Sequence, residues 1–114
     1  MEQPLDGLRV VDTTNNRGEL CGRLLADLGA SVVLVEPLGG SSLRNAAPFS
    51  SDGESLGFLW RNANKSGISI DFETENGSDE LLSLLMEADV WIEDGSDIGS
   101  VASSNVREAC PSLV

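Results

Sequence analysis

Ser31-Val32-Val33-Leu34-Val35-Glu36 is apolar between its two polar ends and β-branched at three of its six positions. A strand covered on both faces reads this way, whereas a strand with one wet face alternates. Upstream, Leu8-Arg9-Val10-Val11-Asp12 is a second short strand, introduced by Asp6-Gly7. Between the two, Leu20, Leu24, Leu25 and Leu28 recur at helical spacing, and Gly29 stands where a helix C′ residue adopts positive φ. Strand, helix and strand within about 30 residues make a βαβ unit, which crosses over right-handed and leaves its strands parallel.

The same alternation continues outward. Pro37 to Glu54 is rich in Gly, Ser and Pro and reads as a long surface loop, of the kind usually tied to function. Ser55 to Asn62 is expected to be a short helix that carries Leu56, Phe58, Leu59 and Trp60 into the core. Gly67 to Phe72 alternates Ile68, Ile70 and Phe72, a strand signal. Ser78 is expected to cap the next helix, with Asp79 and Glu80 in its first turn opposing the macrodipole. Leu81, Leu82, Leu85 and Met86 supply that helix's apolar face. Val90-Trp91-Ile92 is a further strand ending at Glu93, and Ser103 to Cys110 is a weaker helix stopped by Pro111. Leu113 and Val114 look like the first residues of another strand. The expected class is therefore α/β, a Rossmann-like parallel sheet with flanking helices in one domain over 1–114, incomplete at its C-terminus. The first two strands and Val90 to Glu93 should lie side by side. Trp60 and Trp91 are expected in the core.

Composition closes off several function classes. Seven basic residues face nineteen acidic ones, a formal net charge of −12, and no basic stripe offsets it. Such a field repels nucleic acid and anionic membranes, so neither is an expected partner. The acidity serves solubility or reflects a salty habitat, and composition does not choose between them. With no histidine and only Cys21 and Cys110, histidine-based triads are excluded and no metal site is expected; the two cysteines read as reduced structural thiols. No apolar run approaches the ~18 residues of a membrane span, and Met1-Glu2-Gln3-Pro4 opens no signal peptide, so the expected address is the cytoplasm.

In a doubly wound domain a ligand sits at the carboxyl ends of the strands. The loops there are Thr13 to Gly18, Pro37 onward and Asp94 onward. Glu36 stands about two dozen residues after Asp12, where a ribose-binding acid belongs, but the first loop has one glycine instead of G-x-G-x-x-G. Nicotinamide or flavin binding is thus a weak match. Arg17, after Asn15 and Asn16, can hold a phosphate or carboxylate bidentately; the plain alternative is a loop arginine pairing with Glu19. Lys65 faces a ligand, or Asn64-Lys65 merely shapes the turn. Ile70 and Phe72 line a ligand groove, or belong to the core.

Taken in order, the segments resemble one family. Pro4 to Asp12 is similar to the opening of the family III CoA-transferases, the CaiB/BaiF family. Cys21 to Ala30 and then Val33-Leu34-Val35-Glu36-Pro37 look like that family's first helix and second strand. Asn62 to Asp71 is similar to its Asn-Lys-Arg-Ser turn and third strand, Ala88 to Glu93 to its fourth, and Cys110 to Val114 to the stretch before its fifth. The resemblance implies a Rossmann-like large domain and coenzyme A as a substrate, moved between carboxylic acids. It implies an aspartate nucleophile, a mixed anhydride and an acyl-enzyme sequence that splits one hard exchange into easier steps. By the same resemblance that aspartate lies beyond Val114. A branch of the family racemises α-methylacyl-CoA, and full-length members form interlocked homodimers. Arg44 falls where the family tends to carry an arginine near the CoA phosphates.

Departures from the pattern bear on the site. Ala-Gly-Pro after strand one is here Arg17-Gly18-Glu19, a form similar to a subset whose genes encode two fused transferase-like halves. A frequent lysine at the end of strand three is Glu73, and Glu-Asn-Phe after strand four is Glu93-Asp94-Gly95. The expected CoA contacts are Asn15, Asn16, Arg17, Arg44, Lys65, Ile70, Phe72 and Asp94, with no catalytic residue in the chain. The alternative is a non-catalytic scaffold half of a fused protein, paired as a pseudo-dimer, and a third reading is a racemase-type fragment.

Overall fold

A computed structural model describes every residue except Met1, Asn16 and Ala102. Its elements run β1 (Arg9–Asp12), α1 (Glu19–Asp27), β2 (Ser31–Glu36), a 3-10 turn (Ser42–Asn45), α2 (Leu56–Arg61), β3 (Ser66–Ser69), α3 (Glu75–Met86), β4 (Val90–Ile92) and α4 (Ser103–Ala109). The strands form one sheet in the order β3-β2-β1-β4, every pairing parallel. Val10 is in register with Val32 on one side and with Val90 on the other. The two continuous apolar runs are thus the central strands, as expected of strands covered on both faces. Val114 extends the ladder: its N–H donates to Asp89 O at 3.1 Å and its carbonyl accepts from Trp91 N at 2.9 Å. This is the bonding of a parallel neighbour on the free edge of β4.

Side chains alternate across the central strands and fill two layers. Val10 and Val32 pack with Ala26 and Ala30 beneath α1. Val11 and Val35 pack with Ile70, Phe72, Leu81, Leu85, Val106 and Cys110 beneath α3 and α4. Leu81 and Leu85 are fully buried, each contributing about 1.5–3 kcal/mol by leaving water. Among the described residues no helix is long and apolar enough to cross a membrane.

Several expectations fail on the helices. α1 turns Gly22 and Ala26 to the sheet, while Leu20, Leu24 and Leu28 stay about half exposed. The close approach explains it: a Cβ on Gly22 would strike Asp12 Oδ2 and the Lys65 side chain. α2 buries only Phe58; Leu56, Leu59 and Trp60 are exposed. Trp60 instead lies under the Arg23 guanidinium, 4.7 Å from its ring centroid, and is no core aromatic. Trp91 does pack against the core, with its indole N–H donating to Thr13 Oγ1 at 2.9 Å. α3 starts a turn earlier than expected, capped by Thr74, whose Oγ1 accepts from Gly77 N at 3.0 Å. Ser78, Asp79 and Glu80 therefore lie in its second turn, and Met86 faces solvent. β3 is an exposed edge strand that ends at Ser69. Beyond it Ile70 still donates its N–H to Glu36 O at 2.9 Å, and from there the chain turns into the core.

Candidate functional site

The carboxyl ends of the four strands converge on one face, where their loops surround a surface cavity of about 840 Å³. Asn15 comes from the loop after β1 and Pro37 to Gly39 from the loop after β2. Asp71 to Glu75 follow β3, and Asp97, Gly99 and Ser100 follow β4. Asp71, Glu73, Glu75 and Asp97 give this lining four carboxylates, and among the described residues no lysine or arginine lines it. A second, smaller cavity of about 230 Å³ adjoins it through Asn15 and is otherwise lined by Arg17, Asp94, Gly95 and Ser96.

Asn15 ties three loops together. Its N–H donates to Asp94 Oδ2 at 3.1 Å, and its Oδ1 accepts from Ser42 N at 2.8 Å. Arg17 N also donates to Asp94 Oδ2, at 3.2 Å, and the Arg17 residue is exposed, with no ion pair among the described residues. Asp94 in turn accepts from the Ser96 backbone and hydroxyl. Burial alone would raise its carboxyl pKa. The Ser96 hydroxyl and the backbone N–H groups of Asn15, Ser96 and Arg17 outweigh burial and hold it below the usual range.

The other two expected cations are already engaged. Arg44 grips Glu36 with Nε on Oε2 and a terminal nitrogen on Oε1, both at 2.7 Å, and its guanidinium lies 3.9 Å from the Phe58 ring centroid. That grip is the chief reason the Glu36 carboxyl is held below its usual value, helped by the Ser41 N–H and opposed by burial. Lys65 is sealed inside, its side chain 1% exposed and that of Asp12 0%. Its Nζ donates to Asp12 Oδ2 at 2.6 Å, Glu19 O at 2.7 Å and Asn62 Oδ1 at 2.7 Å, which uses all three ammonium protons. Lys65 therefore shapes the turn, beside Asn64 at φ 68°, and presents no charge to a ligand. Ile70 is 1% exposed and wholly core, so a groove contact rests on Phe72, which lines the larger cavity. Asn16 lies outside the described residues.

Sequence reasoning missed the Glu36–Arg44 clamp and the Asp12–Lys65–Asn62 knot. Both join residues of opposite charge that are far apart in the chain or separated by a loop, and single-residue patterns carry no such signal. It also missed the acidic lining of the larger cavity, since Asp71, Glu73, Glu75 and Asp97 come together only in space.

Comparison with known proteins fits the architecture. The model of the family "CoA-transferase family III" matches residues 5–108. Over 94 residues the chain is 43% identical to a succinyl-CoA:mesaconate CoA-transferase of Haloarcula hispanica, an alignment covering 78% of this chain and 24% of that protein. It is 39% identical to a probable fatty acyl-CoA transferase of Mycobacterium tuberculosis, covering 80% of this chain and 24% of that one. The crystal structure of a CaiB/BaiF family protein from Brucella suis superposes on the whole chain with a TM-score of 0.90 at 33% identity, over 32% of its own length. The family match over residues 5–108 and the shared fold place this chain in the family III CoA-transferases. It spans about a quarter of the length of the curated relatives it matches.

Proposed function

We propose that this chain is the N-terminal, CoA-docking portion of a family III CoA-transferase. The observation that carries the reading is the family match over residues 5–108 laid across a strand-end cavity with Arg17 on the adjoining rim. Coenzyme A enters as a substrate, moved between carboxylic acids, and its phosphates meet the Arg17 guanidinium by charge-assisted hydrogen bonds. Phe72 and the Pro37 to Gly39 segment offer the apolar wall. The aspartyl nucleophile of the transfer belongs outside these 114 residues. Asp12 is consumed by Lys65 and by the Thr14 backbone and hydroxyl, and Asp94 by four donors. Neither carboxylate is left to attack a thioester.

A scaffold half of a fused protein is the second reading, and one specific observation favours it: among the described residues, the larger cavity is walled by four carboxylates and no lysine or arginine. Such a lining opposes a ligand with several phosphate charges. Incubation with an acyl-CoA and an acceptor acid, followed by mass spectrometry, tests the division of labour. The chain alone is expected to give no exchange and no covalent adduct. Sustained turnover, or a CoA thioester trapped on any of its carboxylates, would overturn the placement of the nucleophile.

A further inference from the structure

The Asp94 carboxylate is held by donors from two loops. Asn15 N–H and Arg17 N–H, separated from it by 79 and 77 residues, converge on Oδ2 at 3.1 and 3.2 Å. Backbone N–H groups converging on one point form the concavities in which proteins hold anions. Here the anion is part of the chain. Its hydrogen bonds outweigh burial and keep the carboxyl below the usual range, so it is ionised at neutral pH. The smaller cavity, of about 230 Å³, opens beside it with Arg17 in its wall.

We propose that Asp94 is a built-in anion that occupies the backbone donors of the β1–α1 turn and keeps phosphate groups off them. An incoming phosphate would have to displace a carboxylate already bonded to both donors and then sit against its charge. Removing that charge leaves two N–H groups beside a polar cavity whose wall includes Arg17. That set suits an inorganic phosphate or the phosphoryl part of a nucleotide. Asp94 is on this view a specificity-determining residue, which restricts an anionic ligand to contacts such as the Arg17 side chain. The inference stands on the loop geometry and does not require the CoA-docking reading, so each can fail without the other.

The test is a titration with inorganic pyrophosphate, followed by the backbone amide resonances of the 15N-labelled protein. In the wild type the Asn15 amide should move little, whatever phosphate the Arg17 side chain attracts. In Asp94→Ala the Asn15 and Arg17 amides should shift saturably, with half-saturation at least tenfold lower than in the wild type. Equal half-saturation in both proteins would overturn the proposal. So would unmoved Asn15 and Arg17 signals in a variant whose spectrum is native elsewhere. Should Asp94→Ala lose the native spectrum, Asp94→Asn decides by the same two readings, since it keeps an acceptor oxygen without the charge.

Discussion

Lys65 and Glu19 show how differently two buried polar side chains can be housed. Lys65 has three acceptors, one of them the Asp12 carboxylate, whereas Glu19 is 1% exposed and both of its oxygens lack a hydrogen-bond partner. Replacing one member of a buried ion pair strands the other, at a cost of about 3–5 kcal/mol. Lys65→Met is therefore expected to lower the urea midpoint by that equivalent, and a loss below about 1 kcal/mol would contradict the knot. Glu19→Met removes the unpartnered carboxyl group while keeping the buried volume, and should stabilise the fold by about 1–3 kcal/mol, read as a higher Tm. Little of this was legible in the sequence. Lys65 stood out as a rare cation in an acidic chain, but its partners Asp12 and Asn62 meet it only once β1 and the α2–β3 turn are side by side. Arg44 stood out in the same way, and its pairing with Glu36 needed the loop after β2 to fold back.

At the level of elements, the strands were readable and the helix faces were not. Val10, Val11 and Val32 to Val35 carry their own signature, because a strand buried on both sides has no polar face to hide it. The leucines of α1 follow helical spacing equally well whether they face the sheet or solvent. The deciding residue was Gly22, which alone fits over Asp12 and Lys65. α3 holds a similar lesson at Gly77, where a Cβ would run into the Asp71 carbonyl oxygen. Gly77→Ala should thus destabilise by about 1–3 kcal/mol through steric strain, although alanine raises helix propensity by ~1 kcal/mol. Ser83→Ala, on the exposed side of the same helix, should change the chemical-denaturation midpoint hardly at all. Equal effects at the two positions would remove the close-packing account. The Glu36–Arg44 clamp across the β2 loop makes a pH prediction. Glu36 and Asp94 both have lowered carboxyl pKa values in the folded protein, so their stabilisation is fully present above the unfolded values. It should be lost as the pH falls below about 4 toward the folded values, and Glu36→Gln should flatten part of that decline.

Across the whole molecule the dominant fact is a net charge of −12 on 114 residues. Self-repulsion at that density destabilises the compact state and is screened by salt. The urea midpoint should rise as sodium chloride approaches ~1 M, where the Debye length is about 3 Å. A midpoint that falls or stays flat would show that local ion pairs outweigh the global repulsion. The same field works against any anionic ligand, so under the proposed CoA-docking role the exposed Arg17 would carry the attraction. Calorimetric titration with CoA at low salt, beside Arg17→Ala and with NAD as a control, tests the central claim most directly. Saturable CoA binding is expected that weakens with salt and weakens roughly tenfold or more in Arg17→Ala, with no heat from NAD. Absence of CoA binding at any salt, or equal binding of NAD, would contradict it.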